Sequence, residues 1–404
     1  MTGTTRVERL TEALAGQVSV VGVGETQYAD DWRKARAGQQ CDDSYGYGQR
    51  AFARALADAG LTKGDIDGLI VGPTLAYERT AEVLGLDVHW GGQADAAMSI
   101  VSAASAIVTG LADCIALVYG NDQKTAAVQY GGPAAMGGDS FLSYVYYAPW
   151  GFTSQGGLYA LLTQRYMSLT GLTDRGLGEV AVAQRMFSSV NDNAVMRQRI
   201  DIDEYLASRY IVEPLRLYDY TIINDGGVAL ILMSTERARA RGTGREVAIR
   251  GVGRSDLNVD ATSLRPRLLD FYHGAHAEAA ATVYEVASCG PEDIDALQVY
   301  DSFSCHVPLA LTGFGFCSDD DVDAYLRSGA LRPGGRLPVN TSGGHLSESY
   351  MQGWNHQVEA VRQLRGEAGD RQVTDARLVQ YVSDVAGKVV TLVYEGPNGR
   401  GSVR

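Results

Sequence analysis

The amino-acid sequence predicts an α/β protein that is built from two similar halves. Short apolar runs alternate with alanine-rich helical segments along the chain, which is typical of a buried, largely parallel sheet. Residues 51–71 also align without gaps to residues 279–299, with the same order of helix, acidic turn and strand. A chain of 404 residues has room for both halves.

The elements of the first half follow in order. Residues 18–24 form an apolar run that ends in glycine, as expected of a buried strand and a turn. Residues 51–60 place alanine and leucine at helical spacing, and the closing glycine suits a helix C-terminus. A short strand is predicted over residues 69–71, a helix of small residues over 94–109, and another strand over 113–120.

The internal repeat is the strongest evidence for duplication. Both copies carry Asp-Ile-Asp-x-Leu-x-Val after a helix, at residues 65–71 and 293–299. Alanine-rich helices match by chance, but an ungapped motif in the same position behind them is harder to obtain by chance. We therefore predict two halves, residues 1–240 and 245–404, joined by a basic connector that contains glycine.

The first half is the longer one, because residues 121–170 interrupt the alternation of strands and helices. This segment is rich in glycine and aromatic residues. It is predicted to be an inserted loop subdomain with its own small core. Its aromatic surface is also a candidate wall for a bulky apolar ligand.

Composition excludes several classes of function. A net charge of −13 disfavours broad binding of nucleic acid or of an anionic membrane surface. No apolar run reaches the length of a membrane span, and the N-terminus lacks the pattern of a signal peptide, so a cytoplasmic protein is expected. The five cysteines include no CxxC pair, which indicates free thiols and no cysteine-built zinc site. His273 and His276 share a helix face without the HExxH pattern, so we expect no metal.

Two polar segments of the second half carry the candidate chemistry. Residues 299–306 follow the repeated strand, and ligands gather at the carboxyl ends of strands in α/β sheets. Residues 340–344 form a polar turn whose backbone N–H groups could surround an oxyanion. An ordinary loop before a helix at 358–365 is the alternative for this second segment.

With these segments in place, the sequence resembles the thiolase superfamily, most closely its sterol-carrier-protein-type branch. The resemblance covers nearly the whole chain. Its motifs are VGVGETQY at 21–28, GLADCIALVYG at 110–120, NDGGVALILMS at 224–234, YDSF at 300–303 and NTSGG at 340–344. The resemblance implies a duplicated five-layer αβαβα sandwich with a loop subdomain inserted in the first half.

The departures from that family concern its catalytic residues. Where thiolases carry a nucleophilic cysteine at the start of a helix, this chain has Gln93, or Ala94 if the alignment is shifted by one residue. Where the branch carries His-Asp-Cys-Phe, this chain has Tyr-Asp-Ser-Phe, with Tyr300 at the histidine and Ser302 at the cysteine. Tyr350 stands at the histidine of the family's Gly-His-Pro, counted without gaps from Asn340. The resemblance therefore implies that the thiol nucleophile and both imidazoles are lost.

The paired tyrosines resemble a subgroup of thiolase-like lipid-transfer-protein aldolases of bacterial steroid side-chain degradation. That resemblance implies retro-aldol cleavage of a β-hydroxyacyl-CoA to a ring ketone and a short acyl-CoA such as propionyl-CoA. Tyr350 would handle the proton of the substrate hydroxyl and Tyr300 would serve the enolate side. Asn340, Gly343 and Gly344 are expected to help the oxyanion or hold Tyr350. His345 and His306 are candidates to lower the pKa of a tyrosine by a nearby charge or hydrogen bond. Coenzyme A is part of the substrate, and no cofactor is expected.

Two other functions stay open. An atypical thiolase or acyltransferase would use Cys305 or Cys317, because nucleophilic acyl transfer needs a thiolate or its equivalent. A thiolase-like subunit without activity would bind acyl-CoA or stabilise a partner. The resemblance further implies a homodimer and a complex with an OB-fold domain of an acyl-CoA hydratase subunit.

Overall fold

The computed structural model describes residues 5–128, 150–151, 154–256, 273–385 and 388–397. Residues 129–149 and 152–153 of the predicted loop subdomain lie outside the described residues. The aromatic residues of that subdomain outside the described part are Tyr130, Phe141, Tyr144, Tyr146, Tyr147 and Phe152.

The described residues form both helices and strands. The helices are α1 (Arg6–Leu14), α2 (Tyr28–Arg36), α3 (Ser44–Ala59), α4 (Tyr77–Leu84), α5 (Ala96–Val108), α6 (Gln155–Thr170), α7 (Asp174–Ser189), α8 (Ile202–Ala207), α9 (Thr235–Ala240), α10 (His273–Ala287), α11 (His306–Gly313), α12 (Val322–Arg327), α13 (Gly344–Ser347) and α14 (Trp354–Arg365). The strands are β1 (Val18–Glu25), β2 (Gly68–Val71), β3 (Trp90–Gln93), β4 (Cys114–Asn121), β5 (Tyr210–Val212), β6 (Leu215–Arg216), β7 (Gly226–Ser234), β8 (Val247–Asp256), β9 (Ala296–Val299), β10 (Leu378–Ser383) and β11 (Lys388–Glu395).

Nine of these strands form one mixed sheet in the order β3-β2-β4-β7-β1-β8-β11-β10-β9. The pairs β2–β3, β2–β4 and β9–β10 are parallel, and the other five pairs are antiparallel. The prediction of a largely parallel sheet is therefore wrong. Strands such as β10 and β11 follow one another after a short connection, which allows only antiparallel pairing.

The sheet has the same strand order on both sides of its centre. Outward from β1 the order is β1-β7-β4-β2, and outward from β8 it is β8-β11-β10-β9, with matching strand directions. The two series meet where Ser19 pairs with Ala248 and Val20 with Val247. The connector between α9 and β8 contains the predicted boundary near residues 240–245, which stays a prediction.

The repeated acidic motif makes the same hydrogen bonds in both halves. The Asp67 carboxylate accepts from the backbone N–H groups of residues 113–114, at the start of β4, at 2.8–3.0 Å. The Asp295 carboxylate accepts from those of residues 377–378, at the start of β10, at 2.7 and 2.9 Å. Each aspartate thus joins the turn before one strand to the first residues of the next strand in the sheet.

Several predicted elements are confirmed. The helix predicted over residues 51–60 is the second part of α3, and Gly60 ends it in a left-handed conformation with φ of 61°. The helix predicted over 358–365 lies within α14.

Helix α14 lies in the core and connects directly to the candidate site. Its first residue, Trp354, is fully buried and stacks on Tyr119 of β4, with ring centroids 5.7 Å apart. Gln357 donates to the carbonyl oxygen of Ala96, the first residue of α5, at 2.8 Å. These contacts fix the loop that precedes α14, which carries Tyr350.

Candidate active site

Tyr300 and Tyr350, which are far apart in the sequence, meet in the structure. Tyr300 directly follows β9, and Tyr350 lies in the loop between α13 and α14. Their hydroxyl oxygens are 3.0 Å apart, and their rings are nearly perpendicular at 79°. Both side chains are buried, with 7% and 9% of their surface exposed. The pair therefore shares a hydrogen bond in a space with little solvent.

Tyr300 is positioned by the backbone on both sides of it. Its own N–H donates to the carbonyl oxygen of Val382 at 2.8 Å. Asn340 binds the preceding residue, Val299, with both ends of its side chain: Oδ1 accepts from the N–H at 2.7 Å and Nδ2 donates to the carbonyl at 3.0 Å. These bonds do not support the predicted oxyanion role of Asn340. They make it a positioning residue for the end of β9.

Tyr350 is positioned by two asparagines that sequence reasoning missed. Asn224 Oδ1 accepts from the backbone N–H of Tyr350 at 2.8 Å, and Asn121 Nδ2 donates to its carbonyl oxygen at 3.3 Å. Asn121 ends β4, and Asn224 comes just before β7. Because β4 and β7 are antiparallel neighbours, both asparagines lie at the same end of this strand pair. The only sequence signal was the motif NDGG that begins with Asn224.

His345 lies against both tyrosines. Its ring centroid is 4.8 Å from that of Tyr300 and 5.0 Å from that of Tyr350. Nε2 accepts from the N–H of Gly353 at 2.8 Å, so this nitrogen carries no proton. A Cβ on Gly353 would lie 3.0 Å from the Tyr300 ring and collide with the Tyr381 hydroxyl, which explains a glycine there at φ of 86°.

The charge state of His345 follows from its surroundings. Burial, together with the nearby His356 and His306, holds the pKa of His345 well below its ordinary value. A neutral imidazole does not supply the positive charge that would favour a phenolate. The predicted role of His345 in lowering a tyrosine pKa is therefore not supported.

Both phenols are harder to ionise than usual. Burial raises the pKa of Tyr300 well above its ordinary value, and Tyr350 adds to this effect. Burial also raises the pKa of Tyr350, although its hydrogen bonds with Tyr300 and Gln352 oppose the shift. At neutral pH both side chains keep their protons, so each can accept one hydrogen bond and donate another.

The predicted glycines lie beside a buried aspartate. Gly343 donates its N–H to the carbonyl oxygen of Asn340 at 2.8 Å, which closes the turn and uses one predicted oxyanion donor. Gly344 lies close enough to Asp301 that a Cβ there would clash with the carboxylate. Asp301 Oδ1 also accepts from the backbone N–H of His345 at 2.9 Å. These contacts assign the turn to holding Asp301 and His345.

Asp301, His345 and His356 form a buried cluster whose ligand atoms lie within 4.8 Å of one another. A metal ion could use this spacing. Hydrogen bonds within the protein also account for it, because Asp301 Oδ1 is 2.9 Å from His356 Nε2 and His345 Nε2 binds a backbone N–H. The expectation of no metal stays a prediction.

A cavity of about 130 Å³ borders Tyr350, one member of the tyrosine pair. Its walls include Gly156, Tyr220, Ile223, Ser302, Phe303 and Tyr350. Phe303 is also stacked by Tyr159 of α6, at 4.6 Å between ring centroids. An aromatic residue of the predicted insert thus lies behind the wall of this cavity.

Gln93 and Ser302 both stand at positions where the related family has cysteine, and Gln93 does not line the cavity. It ends β3, is exposed, and its amide donates to the carbonyl oxygens of Leu75 and Pro73 at 2.9 and 3.5 Å. Its hydrogen bonds therefore connect it to the first half of the chain, whereas Ser302 borders the cavity.

The alternative nucleophiles are poorly suited to acyl transfer. Burial raises the pKa of Cys305 to about 12, and burial with nearby Asp319 and Asp321 raises the pKa of Cys317 to about 12. A thiol with such a pKa has almost no thiolate at neutral pH. All five cysteines are free thiols.

The chain is similar to a thiolase family model and to two enzymes that cleave steroid side chains. Residues 262–395 match the family model described as thiolase C-terminal domain-like. The 17-hydroxy-3-oxo-4-pregnene-20-carboxyl-CoA lyase of Mycobacterium tuberculosis is 31% identical over 87% of this chain and 92% of its own length. The steroid side-chain-cleaving aldolase of Thermomonospora curvata is 32% identical over 87% of this chain and 91% of its own length.

Solved structures confirm the predicted thiolase-like α/β fold. The Ltp2-ChsH2(DUF35) aldolase superposes with a TM-score of 0.85 at 27% identity, over 96% of this chain and all of that chain. A monomeric SCP2-thiolase-like protein from Mycobacterium smegmatis shares the fold, with a TM-score of 0.66 at 18% identity over 95% and 78% of the two chains. Among the described residues, no helix has both the length and the apolar character to cross a membrane. The chain belongs to the thiolase superfamily, in the branch that contains the steroid side-chain-cleaving aldolases.

Proposed function

We propose that this protein cleaves a carbon–carbon bond of a β-hydroxyacyl-CoA by a retro-aldol reaction. The observation that carries the proposal is the hydrogen-bonded pair of Tyr300 and Tyr350, with Tyr350 in the wall of a cavity. A retro-aldol reaction moves one proton from the substrate hydroxyl to the α-carbon. Two neutral phenols in contact can carry that proton without either becoming charged.

One proton moves from the substrate hydroxyl to the α-carbon through the two phenols. In one concerted step the substrate hydroxyl gives its proton to the Tyr350 oxygen, Tyr350 gives its own proton to Tyr300, and Tyr300 gives its own proton to the α-carbon. As the protons move, the bond between the hydroxyl-bearing carbon and the α-carbon breaks and a ketone forms. The electron pair of that bond becomes the new bond between the α-carbon and hydrogen, and the thioester carbonyl shares the enolate-like charge that develops on the way. These are the roles expected from the sequence, and the raised pKa of both groups suits a relay that never ionises.

The proposed substrate is a steroid side-chain CoA thioester, and the proposed products are a ring ketone and a short acyl-CoA such as propionyl-CoA. Support comes from the names of the two relatives, a pregnene-carboxyl-CoA lyase and a steroid side-chain-cleaving aldolase. Aromatic and aliphatic side chains in the cavity wall, including Phe303 and Ile223, suit an apolar substrate.

The proposal extends to the working form of the protein. We expect a cytoplasmic homodimer that needs no metal or cofactor beyond the coenzyme A of its substrate. We also expect a complex with an OB-fold domain of an acyl-CoA hydratase subunit, because the solved aldolase similar to this chain contains a DUF35 partner.

The test is product analysis by mass spectrometry after incubation with steroid β-hydroxyacyl-CoA thioesters, with and without the hydratase partner. The expected result is a ring ketone and a short acyl-CoA in equal amounts. Binding of the thioester without product, in the presence of the partner, would instead indicate a subunit without activity. Release of free CoA with an acylated cysteine would indicate an acyltransferase.

A further inference from the structure

A second group of chemically suited residues borders the same cavity. Ser302 Oγ lies 3.0 Å from His306 Nε2, and His306 Nδ1 lies 2.6 Å from Asp384 Oδ1. Asp384 Oδ2 is 3.3 Å from His276 Nε2. The retro-aldol steps use none of these four residues. A serine bound to a histidine that is bound in turn to an aspartate is the catalytic triad by which hydrolases of unrelated folds activate the serine.

The contacts of His306 suit a proton transfer from Ser302. Burial alone would raise the pKa of Asp384, but His306 and the hydrogen bonds from both histidines hold it well below its ordinary value. The carboxylate is therefore ionised and accepts from Nδ1–H of His306. In the tautomer that carries its proton on Nδ1, His306 donates to Asp384 and leaves Nε2 to accept from the Ser302 hydroxyl. This is the direction needed to draw a proton away from the serine oxygen.

The three residues differ in access to the cavity. Ser302 forms part of the wall and is 8% exposed, whereas His306 is 1% exposed. The Asp384 side chain is also buried, at 5%. Of the three residues, Ser302 is the one that borders the cavity. Tyr350 borders the same cavity as a neutral phenol, which can donate a hydrogen bond to an oxyanion.

We propose that Ser302 is a nucleophile and that the protein hydrolyses short acyl thioesters through it, as an activity separate from carbon–carbon cleavage. His306 takes the serine proton as Oγ bonds to the thioester carbonyl carbon. The carbon–sulfur bond breaks, and the departing thiolate takes the proton from His306. Water then attacks the acyl-serine with His306 as base, which releases a carboxylic acid and restores the serine.

The first experiment treats the complete protein with a fluorophosphonate probe and locates the adduct by peptide mass spectrometry. The expected result is one adduct, on Ser302, as Oγ bonds to phosphorus and fluoride leaves. This measurement on the unaltered protein does not depend on the folding of any variant. Absence of an adduct, or an adduct at another residue only, overturns the proposal.

The second experiment measures release of free CoA from propionyl-CoA with a thiol reagent. Ser302→Ala should abolish both the adduct and the hydrolysis, and His306→Gln should slow both by about 10²-fold or more. Ser105→Ala is the matched control, because Ser105 is exposed on α5 and bonds to Val101 of its own helix. It should label and hydrolyse as the unaltered protein does.

Two further variants separate this activity from the retro-aldol reaction. Tyr300→Phe should impair carbon–carbon cleavage but leave the adduct on Ser302. If Ser302→Ala instead slows the retro-aldol reaction and the unaltered protein forms no adduct, Ser302 belongs to the lyase chemistry and the proposal is wrong.

Discussion

The hydroxyl oxygens of Tyr300 and Tyr350 lie 3.0 Å apart, and burial raises the pKa of both phenols. A pair of this kind is a poor base, since neither member ionises readily. It is a good path for a proton that enters at one oxygen and leaves from the other. This property matches a reaction that transfers one proton from oxygen to carbon.

The first prediction concerns the tyrosine hydroxyls. Tyr350→Phe and Tyr300→Phe keep the rings but delete one step of the proton path, so each should lower kcat of the retro-aldol reaction by about 10²–10⁴-fold. The measurement is the rate of ketone formation at saturating substrate. Tyr210→Phe is the control, since it removes a surface hydroxyl that binds Asp174, and it should keep normal activity. Near-normal rates in both site variants would remove the proposed roles.

The second prediction concerns the thiols. Because the pKa values of Cys305 and Cys317 are each raised to about 12, the two thiols should react slowly with iodoacetamide at neutral pH. The retro-aldol rate should survive the treatment, with labelled cysteines counted by mass spectrometry. Loss of activity in step with alkylation of either residue would favour the acyltransferase instead.

The third prediction is that His345 makes the folded protein less stable as the pH falls below 6.5. The folded state holds the pKa of His345 well below 6.5, so below that pH only the unfolded chain takes up the proton. Stability should therefore decrease as pH falls from 6.5, by up to about 1.4 kcal/mol per pH unit. His345→Gln, whose side-chain oxygen can still accept from Gly353, should flatten this part of the Tm profile between pH 7 and 5. An unchanged slope would contradict the assignment.

The fourth prediction concerns Glu348, with the opposite dependence on pH. Burial and the charges of Glu25 and Glu359 raise its pKa to about 8, so between about pH 4.5 and 8 the folded state keeps a proton that the unfolded chain has lost. The contribution of Glu348 to stability therefore falls as pH rises through this range. Glu348→Gln mimics the protonated form, and its Tm relative to the unaltered protein should increase from pH 5 to pH 8. A constant difference across that range would show that Glu348 titrates normally.

The sequence predicted the residues of the tyrosine pair but not what surrounds it. Tyr300 and Tyr350 were found because each stands at a position where the related family has histidine. Asn121 and Asn224 were missed because their bonds to Tyr350 go to its backbone, across 229 and 126 residues of sequence. Hydrophobic periodicity and motif spacing carry no information on such contacts.

Two other residues show the same limit. Ser302 and His306 are four residues apart, so their contact could have been expected if a helical turn had been assumed there. Asp384, which completes the group, lies 78 residues beyond His306, and only the fold brings it near. Nothing in the sequence indicated that the Asn340 amide binds the backbone of Val299, 41 residues earlier, and its expected oxyanion role stays a prediction.

The seam between β1 and β8 has a consequence for any attempt to divide the protein. Only two residue pairs, Ser19 with Ala248 and Val20 with Val247, join the two strand series there. A fragment that ends in the connector before β8 would leave this edge of β1 without its partner strand, and the complementary fragment would do the same with β8. Such bare borders pair readily with other chains. Separately produced fragments should therefore precipitate unless they are refolded together.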